Sequence, residues 1–436
     1  MSKKVLLLGS GLVTEPLVEY MLKLEGVDLT IATLEKEKAE AMIKGHPKAQ
    51  AVFLDASHSD DLEPLITKHD LVISLLPAPM HPGVARLCLK QGKDLVTASY
   101  AGPAMRAFDN DAREAGLLFL NELGLDPGID HMSAMKIIEE VKDLGGVVTG
   151  FRSYCGGLPA PEANTNPLGY KFSWAPRGVL TATTNDARYL WNGKLVNLPG
   201  KDLFKSFESL ALEGFVFEAY PNRDSMPYAD LYGLKNVETM YRGTLRYPGW
   251  SNSMRLLVDV GYLDQTERQL SVKTYAELTR MLAGKQTGDP RVAIAEKSGL
   301  PPFNPAIETM NWLGLFSDEP LDPSQKTILD QLAVMCLKRM QYEPMERDLV
   351  VLHHIFQAKF RDKEETITST LIEYGIPGGH SAMARTVSIP VAIGAKLILQ
   401  GKIGLKGVQI PVSEEIYKPI LDELASLGIR FLEKKQ

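Results

Sequence analysis

The chain has 436 residues, 44% of them hydrophobic, and a net charge of −6 from 48 basic and 54 acidic side chains. That length is enough for two or three domain cores, and an acidic balance without a basic run argues against a nucleic-acid partner. Cys88, Cys155 and Cys336 are too few and too widely spaced for a disulfide framework or a metal-ligand pair, which suits a reducing cytoplasm.

The opening stretch KKVLLLGSGLVTEP, residues 3–16, has only 5–8 as an unbroken apolar run. An export signal needs about 7–15 such residues, so this is read as a first strand and turn. Short runs apolar on both faces follow at 27–33, 51–55, 71–76, 94–97 and 117–121, separated by segments of helical spacing such as 16–24 and 36–43. This is βαβ alternation, and it predicts an α/β domain with a doubly wound parallel sheet. Beyond residue 125 the texture turns to loops and strand-like runs such as 147–154. From 248 to 345 it turns helical, with segments at 252–262, 272–282, 292–297, 306–315 and 327–340. Two strands are expected at 349–360 and 365–374, around a charged turn, and a last helix at 382–400. The longest apolar stretch, 389–399, contains Pro390, Gly394 and Lys396 and falls short of the ~20 residues that cross a bilayer. The expected layout is a dinucleotide-binding domain from 1–124 and 391–436, a mixed α/β domain from 125–247 and 346–390, and an all-helical insertion at 248–345.

The turn after the first strand carries two of the three glycines of a dinucleotide fingerprint. Gly9 suits the tight turn and Gly11 the approach of the pyrophosphate, while Thr14 stands where the third glycine would let helix and strand pack closely. Ser10, Leu12 and Val13 complete the turn that would hold the cofactor against a helix N-terminus. At the end of the second strand an acidic residue selects NAD, and an arginine accommodates the 2′-phosphate of NADP. Here Thr33, Leu34 and Glu35 occupy that place, followed by Lys36 and Lys38. Glu35 suits a ribose diol and NAD; Thr33 and the two lysines leave NADP open. Asp55 and Ala56 fall at the adenine end. Leu75, Leu76 and Pro77, within SLLPAP at 74–79, end the fourth strand beside the cofactor.

The segments LNELGLDPGIDHM, SYCGGLPAPEANTNPLGYKFSW, YPNRDS, GTLRYPGW and QYEPMERDLVVLHH closely resemble the saccharopine dehydrogenase family, in its NADP-dependent, glutamate-forming type. The resemblance implies a Rossmann domain completed by the C-terminal tail, a mixed α/β saccharopine-binding domain and an inserted helical domain. It implies oxidation of saccharopine to L-glutamate and 2-aminoadipate 6-semialdehyde, or the reverse, in lysine metabolism. Matched residue by residue, it implies substrate contacts for Ser99, Tyr100, Asp126, Cys155, Gly156, Arg223, Thr244, Leu245 and Arg246, and a place near the cofactor for Leu125, Asp126, Pro127 and Trp174. Asp126, Tyr100 and Lys171 are the expected catalytic groups. Arginine suits carboxylates because its planar fork pairs them through two parallel hydrogen bonds. The chain departs from fungal members, which carry an arginine followed by threonine where Leu34 and Glu35 stand here, and this opens the choice between NADP and NAD. Cys155 is expected to admit backbone close to substrate, not to act as a nucleophile. His131, His353, His354 and His380 show no metal spacing and read as structural, with His131 a secondary acid/base candidate near Asp126. A homodimer through the sheet of the second domain is the expected assembly. Two other readings remain: a carboxynorspermidine-type dehydrogenase, disfavoured by the arginines, and a nucleotide-binding regulator without turnover.

Overall fold

The computed structural model describes residues 2–436. The chain gathers into two compact units, one running to Val147 and taking in Lys359–Lys363 and Gly379–Lys434, the other made of Val148–Ala358, Glu364–Gly378 and Lys435–Gln436.

The first unit alternates strand and helix: β1 (Lys3–Leu8), α1 (Glu15–Leu22), β2 (Val27–Thr33), α2 (Lys36–Ile43), β3 (Ala49–Phe53), α3 (Ser59–Thr67), β4 (Leu71–Ser74), α4 (His81–Gln91), β5 (Asp94–Thr97), α5 (Pro103–Arg106), α6 (Asp109–Glu114), β6 (Leu118–Leu120) and α7 (Ile129–Asp143). Leu71 to Ser74 are all buried, as are Val5 to Leu8, because helices cover both faces of a parallel sheet. The strands pair in parallel in the order β6-β5-β4-β1-β2-β3. The order reverses between β1 and β4, and in such sheets ligands bind at that switch point, beyond the carboxyl ends of the strands. Strand β4 stops at Ser74, two residues short of the expected end, and β3 lies two residues earlier than expected, at 49–53.

The second unit opens with β7 (Val147–Pro159), then α8 (Pro176–Ala182), β8 (Ala187–Trp191), β9 (Lys194–Leu198), β10 (Glu208–Leu212), β11 (Phe215–Pro221), α9 (Pro227–Leu231) and β12 (Thr239–Arg246). Helices follow at α10 (Trp250–Val260), α11 (Tyr275–Leu282), α12 (Pro290–Ser298), α13 (Pro305–Trp312) and α14 (Ile328–Arg339), then β13 (Asp348–Lys359) and β14 (Glu364–Tyr374). The mixed sheet runs β10-β11-β12-β7-β13-β14. The side chains of Thr274, Asp289, Asn304 and Thr327 accept N–H bonds in the first turns of α11 to α14, which is why these short helices begin where they do. The sequence texture separated 248–345 as an insertion. The structure joins it to the sheet instead, since Leu168, Tyr170, Phe172 and Tyr220 share one core with Trp250, Met254, Leu278, Ile307 and Leu332.

The chain then returns to the first unit as α15 (Ala382–Leu399), β15 (Gly407–Gln409) and α16 (Glu414–Ser426), and ends in β16 (Leu432–Lys435). Helix α15 is apolar and long enough to cross a membrane, but 72% of it is buried, packed on α1, β4 and β5. Strand β15 extends the parallel sheet beside β6, and α16 covers α7. That packing carries the first unit past residue 124 to Val147. Neither β15 nor α16 was expected, α15 having been read as the last helix.

Candidate active site

In the first unit the turn after β1 has the predicted form. Gly9 has φ of +101°, and a Cβ there would stand 3.2 Å from the Leu75 carbonyl oxygen at the end of β4, so both conformation and space call for glycine. Thr14 is fully buried beneath the first turn of α1, the packing role expected of it. No side chain caps α1, which leaves its N-terminal amides for a pyrophosphate. Ser10 Oγ and Thr33 Oγ1 share a buried hydrogen bond of 2.8 Å, and Thr33 Oγ1 also accepts from the Glu35 N–H at 3.2 Å. Leu34 is 60% exposed. Lys38 pairs with Glu35 at 3.5 Å and Lys36 with Glu40 at 3.3 Å. Asp55, below its usual pKa because Ser57 donates two hydrogen bonds to it, closes the turn after β3. These residues fit a dinucleotide: the turn accepts the diphosphate, and Lys36 and Lys38 are the cations available to a 2′-phosphate.

The ends of β4, β5 and β6 bring Ser99, Tyr100 and Asp126 together. The Tyr100 hydroxyl donates to Asp126 Oδ1 at 3.0 Å. Asp126 precedes a cis proline, Pro127, and both Tyr100 and Asp126 are half-buried. Two residues that sequence reasoning passed over hold this corner. Glu122, buried with φ of +57°, accepts from the Ala101 N–H at 2.9 Å and meets His131 Nε2 at 2.8 Å. His131 is thus held by Glu122 and serves the scaffold. The second is His81, 1% exposed, whose ring meets Ser74 Oγ at 3.0 Å, Ser99 Oγ at 2.8 Å and Thr97 Oγ1 at 3.2 Å. The only sequence signal for it was its place just after SLLPAPM, at the first turn of a helix following a strand end.

Burial pushes the His81 pKa down to about 4. The unfolded imidazole titrates near 6.5, so as pH falls the unfolded chain takes up this proton first and stability is lost across the window from 6.5 to 4. At pH 5 the loss from this group is about 2 kcal/mol. Urea unfolding at pH 7 and pH 5 should therefore show His81→Gln losing about 2 kcal/mol less than the native chain between the two pH values; equal losses would rule this out.

In the second unit the register sets Cys155 beside Thr244 on neighbouring strands β7 and β12. A Cβ on Gly156 would lie 2.8 Å from the Leu245 carbonyl oxygen, so glycine is what permits these strands to close up. Arg246 follows. Its guanidinium lies 4.8 Å over the Tyr170 ring and 5.1 Å over that of Trp250, and Nη1 donates to the Leu245 carbonyl at 2.7 Å. It is 6% exposed, its Nε has no hydrogen-bond partner, and no carboxylate pairs with it among the described residues. The nearest acid by register, Glu218, instead accepts from the Gly249 and Ser251 N–H groups at 2.8 Å each.

Three further expected site residues have other surroundings than a bound substrate. Arg223 is exposed with φ of +55°, beyond the last β11–β12 rung at Pro221. Five residues separate it from Glu218, which stands opposite Arg246 in the strand register, or roughly 17 Å of extended strand. Lys171, expected among the catalytic groups, is buried, with Nζ donating to both Glu346 oxygens at 2.7 and 2.6 Å; it is a bound cation and not a free amine. Trp174 packs against the core that holds Tyr170 and Trp250, the rings around Arg246.

Comparison with known proteins agrees with this geometry. The family model for the saccharopine dehydrogenase NADP binding domain matches residues 5–120, and that for the saccharopine dehydrogenase C-terminal domain matches residues 124–429. Saccharopine dehydrogenase [NADP(+), L-glutamate-forming] of Schizosaccharomyces pombe is 40% identical over 443 residues, covering 99% of this chain and 98% of that one. The mitochondrial alpha-aminoadipic semialdehyde synthase of Bos taurus is 38% identical over 98% of this chain but only 47% of its own length. The apo saccharopine dehydrogenase (L-Glu forming) of Saccharomyces cerevisiae superposes with a TM-score of 0.89 at 39% identity, over the whole of both chains. Two consecutive domain models and full-length likeness in sequence and fold leave one conclusion: this chain belongs to the saccharopine dehydrogenase family.

Proposed function

We propose that the chain is an NADP-dependent, glutamate-forming saccharopine dehydrogenase, converting saccharopine and water to L-glutamate and 2-aminoadipate 6-semialdehyde, and running the reverse reaction. The observation that carries this reading is Arg246, a buried guanidinium clamped by two aromatic rings and lacking a carboxylate. A buried cation without a counter-ion is costly, and a carboxylate-bearing substrate removes the cost. The carboxynorspermidine-type reading lacks a comparable support, since a diamine would add a second cation.

The turn of Gly9 and Gly11 and the N-terminus of α1 would hold NADP⁺, which would supply the hydride acceptor for the carbon beside the secondary amine. The protein's own task is to handle protons and charge. That amine must lose its proton before the hydride departs, and Asp126 is the half-buried carboxylate suited to accept it, its Oδ1 oriented by the Tyr100 hydroxyl at 3.0 Å. The same pair can return a proton to the glutamate nitrogen as the C–N bond breaks. Arg246 fixes a carboxylate, and Ser99 and Thr244 supply neutral hydrogen bonds. Mixing the purified chain with saccharopine and NADP⁺ and following absorbance of the reduced nicotinamide tests the proposal; no turnover in either direction would overturn it.

The ribose end has a weaker phosphate clamp than an arginine would give. Because Glu35 occupies Lys38, Glu35→Gln should lower the KM for NADP⁺ about 2- to 5-fold and leave that for NAD⁺ unchanged or higher. Equal shifts for both cofactors would place the 2′-phosphate elsewhere. A homodimer in a cytoplasmic setting completes the proposal; light scattering on the purified protein reads the oligomeric state.

A further inference from the structure

Ser74, His81 and Ser99 form a chain of three polar groups, of which the reaction as outlined uses only Ser99. Ser74 lies at the end of β4 and is fully buried, and its hydroxyl meets His81 Nδ1 at 3.0 Å. His81 Nε2 meets Ser99 Oγ at 2.8 Å, and the half-buried Ser99 stands just past β5, beside Tyr100. Thr97 Oγ1 accepts from the Ser99 N–H at 3.2 Å and lies 3.2 Å from the same ring nitrogen, so both the backbone and the side chain of Ser99 are tied down.

A neutral imidazole has one donor and one acceptor nitrogen. A carboxylate can only accept, so Ser99 must donate its hydroxyl hydrogen to it and take a hydrogen bond from behind. That requires the imidazole proton on Nε2, and it leaves Nδ1 to accept from the Ser74 hydroxyl. All three bonds then point the same way, Ser74 to His81 to Ser99 to carboxylate, and each polarises the next. With the proton on Nδ1, Nε2 would draw on the hydrogens of Ser99 and Thr97 and withhold the one the ligand needs.

We propose that His81 is a positioning residue of the enzyme: held by Ser74, it turns the Ser99 hydroxyl into a fixed donor for a substrate carboxylate. The proposal rests on the assignment of Ser99 to the substrate. Its test separates the Ser74 bond of the ring from the Ser99 bond, because the asparagine amide falls near the place of Nδ1 and the glutamine amide near that of Nε2. His81→Gln should keep the KM for saccharopine within about twofold of the native value, while His81→Asn should raise it about tenfold with kcat and the KM for NADP⁺ little changed, as expected for a contact made equally in ground and transition states. Ser99→Ala should raise the saccharopine KM by a similar factor, and adding His81→Asn to it should raise it no further, since the histidine acts only through that hydroxyl. Multiplying effects in the double variant would overturn the proposal. So would parallel losses of saccharopine and NADP⁺ affinity with a lowered Tm in both His81 variants, the mark of a scaffold role. If Ser99→Ala leaves the KM unmoved while the native chain turns over, the proposal falls with the Ser99 assignment and the activity stands.

Discussion

Replacing Arg246 with methionine should raise the KM for saccharopine by a factor of about 30 to several thousand, the equivalent of about 2–5 kcal/mol for removing one partner of a buried charge pair. Methionine keeps much of the packing between Tyr170 and Trp250 and removes the charge, so fold and ligand effects separate. The free protein should be no less stable, because the guanidinium it loses had no carboxylate to neutralise it and its burial was unfavourable. Arg246→Lys should recover little, since an ammonium cannot make the planar two-bond fork or stack on the rings. Steady-state kinetics with thermal unfolding decide the matter. A large drop in Tm with an unchanged KM would make Arg246 a structural cation.

The second large effect belongs to Asp126. Asp126→Asn keeps the size of the side chain and the neighbour Tyr100 but cannot take a proton, and general-base removal lowers kcat by about 10²- to 10⁴-fold. Tyr100→Phe removes the orienting bond of 3.0 Å but leaves the base in place and should cost less. In the direction of oxidation the deficit of Asp126→Asn should shrink as pH rises, because more of the substrate amine is then already deprotonated and needs no base. A kcat reduced by less than about threefold at neutral pH would remove Asp126 from the chemistry.

Local pattern made the first unit legible. Alternating apolar runs and helical segments placed the ends of β1 to β6 within two residues, and Gly9 was readable because its role is conformational and local. The second unit resisted for a different reason. Its strands β8 to β12 are on the whole no shorter than those of the first unit, but they lie in a mixed sheet in which β12 pairs with β7, far back along the chain. One signal was present and went unread: Asn192 and Gly193, with φ of 47° and 76°, form the Asn-Gly turn that closes the β8–β9 hairpin. Strand β15, three residues long, has too little sequence to show a period, and only its place beside β6 makes it a strand. Among the site residues, Tyr100 and Asp126 were named from their motifs, and the fold sets them 3.0 Å apart. The pairing of Lys171 was not legible because its partner Glu346 lies 175 residues away. His81 was missed because nothing local distinguishes a histidine that accepts and donates inside a core from one that faces solvent.

The return of the chain to its first unit also orders its birth. Residues up to Val147 leave the ribosome more than two hundred residues before α15, which packs on α1, β4 and β5, and β15, which closes the sheet beside β6. Throughout that interval the nascent nucleotide-binding unit presents an open sheet edge and an uncovered apolar face, the surfaces that chaperones guard. The second unit is nearly complete when the first acquires its last helices, so the cofactor turn of Gly9, although made of the earliest residues, is among the last parts of the enzyme to be set on a finished scaffold.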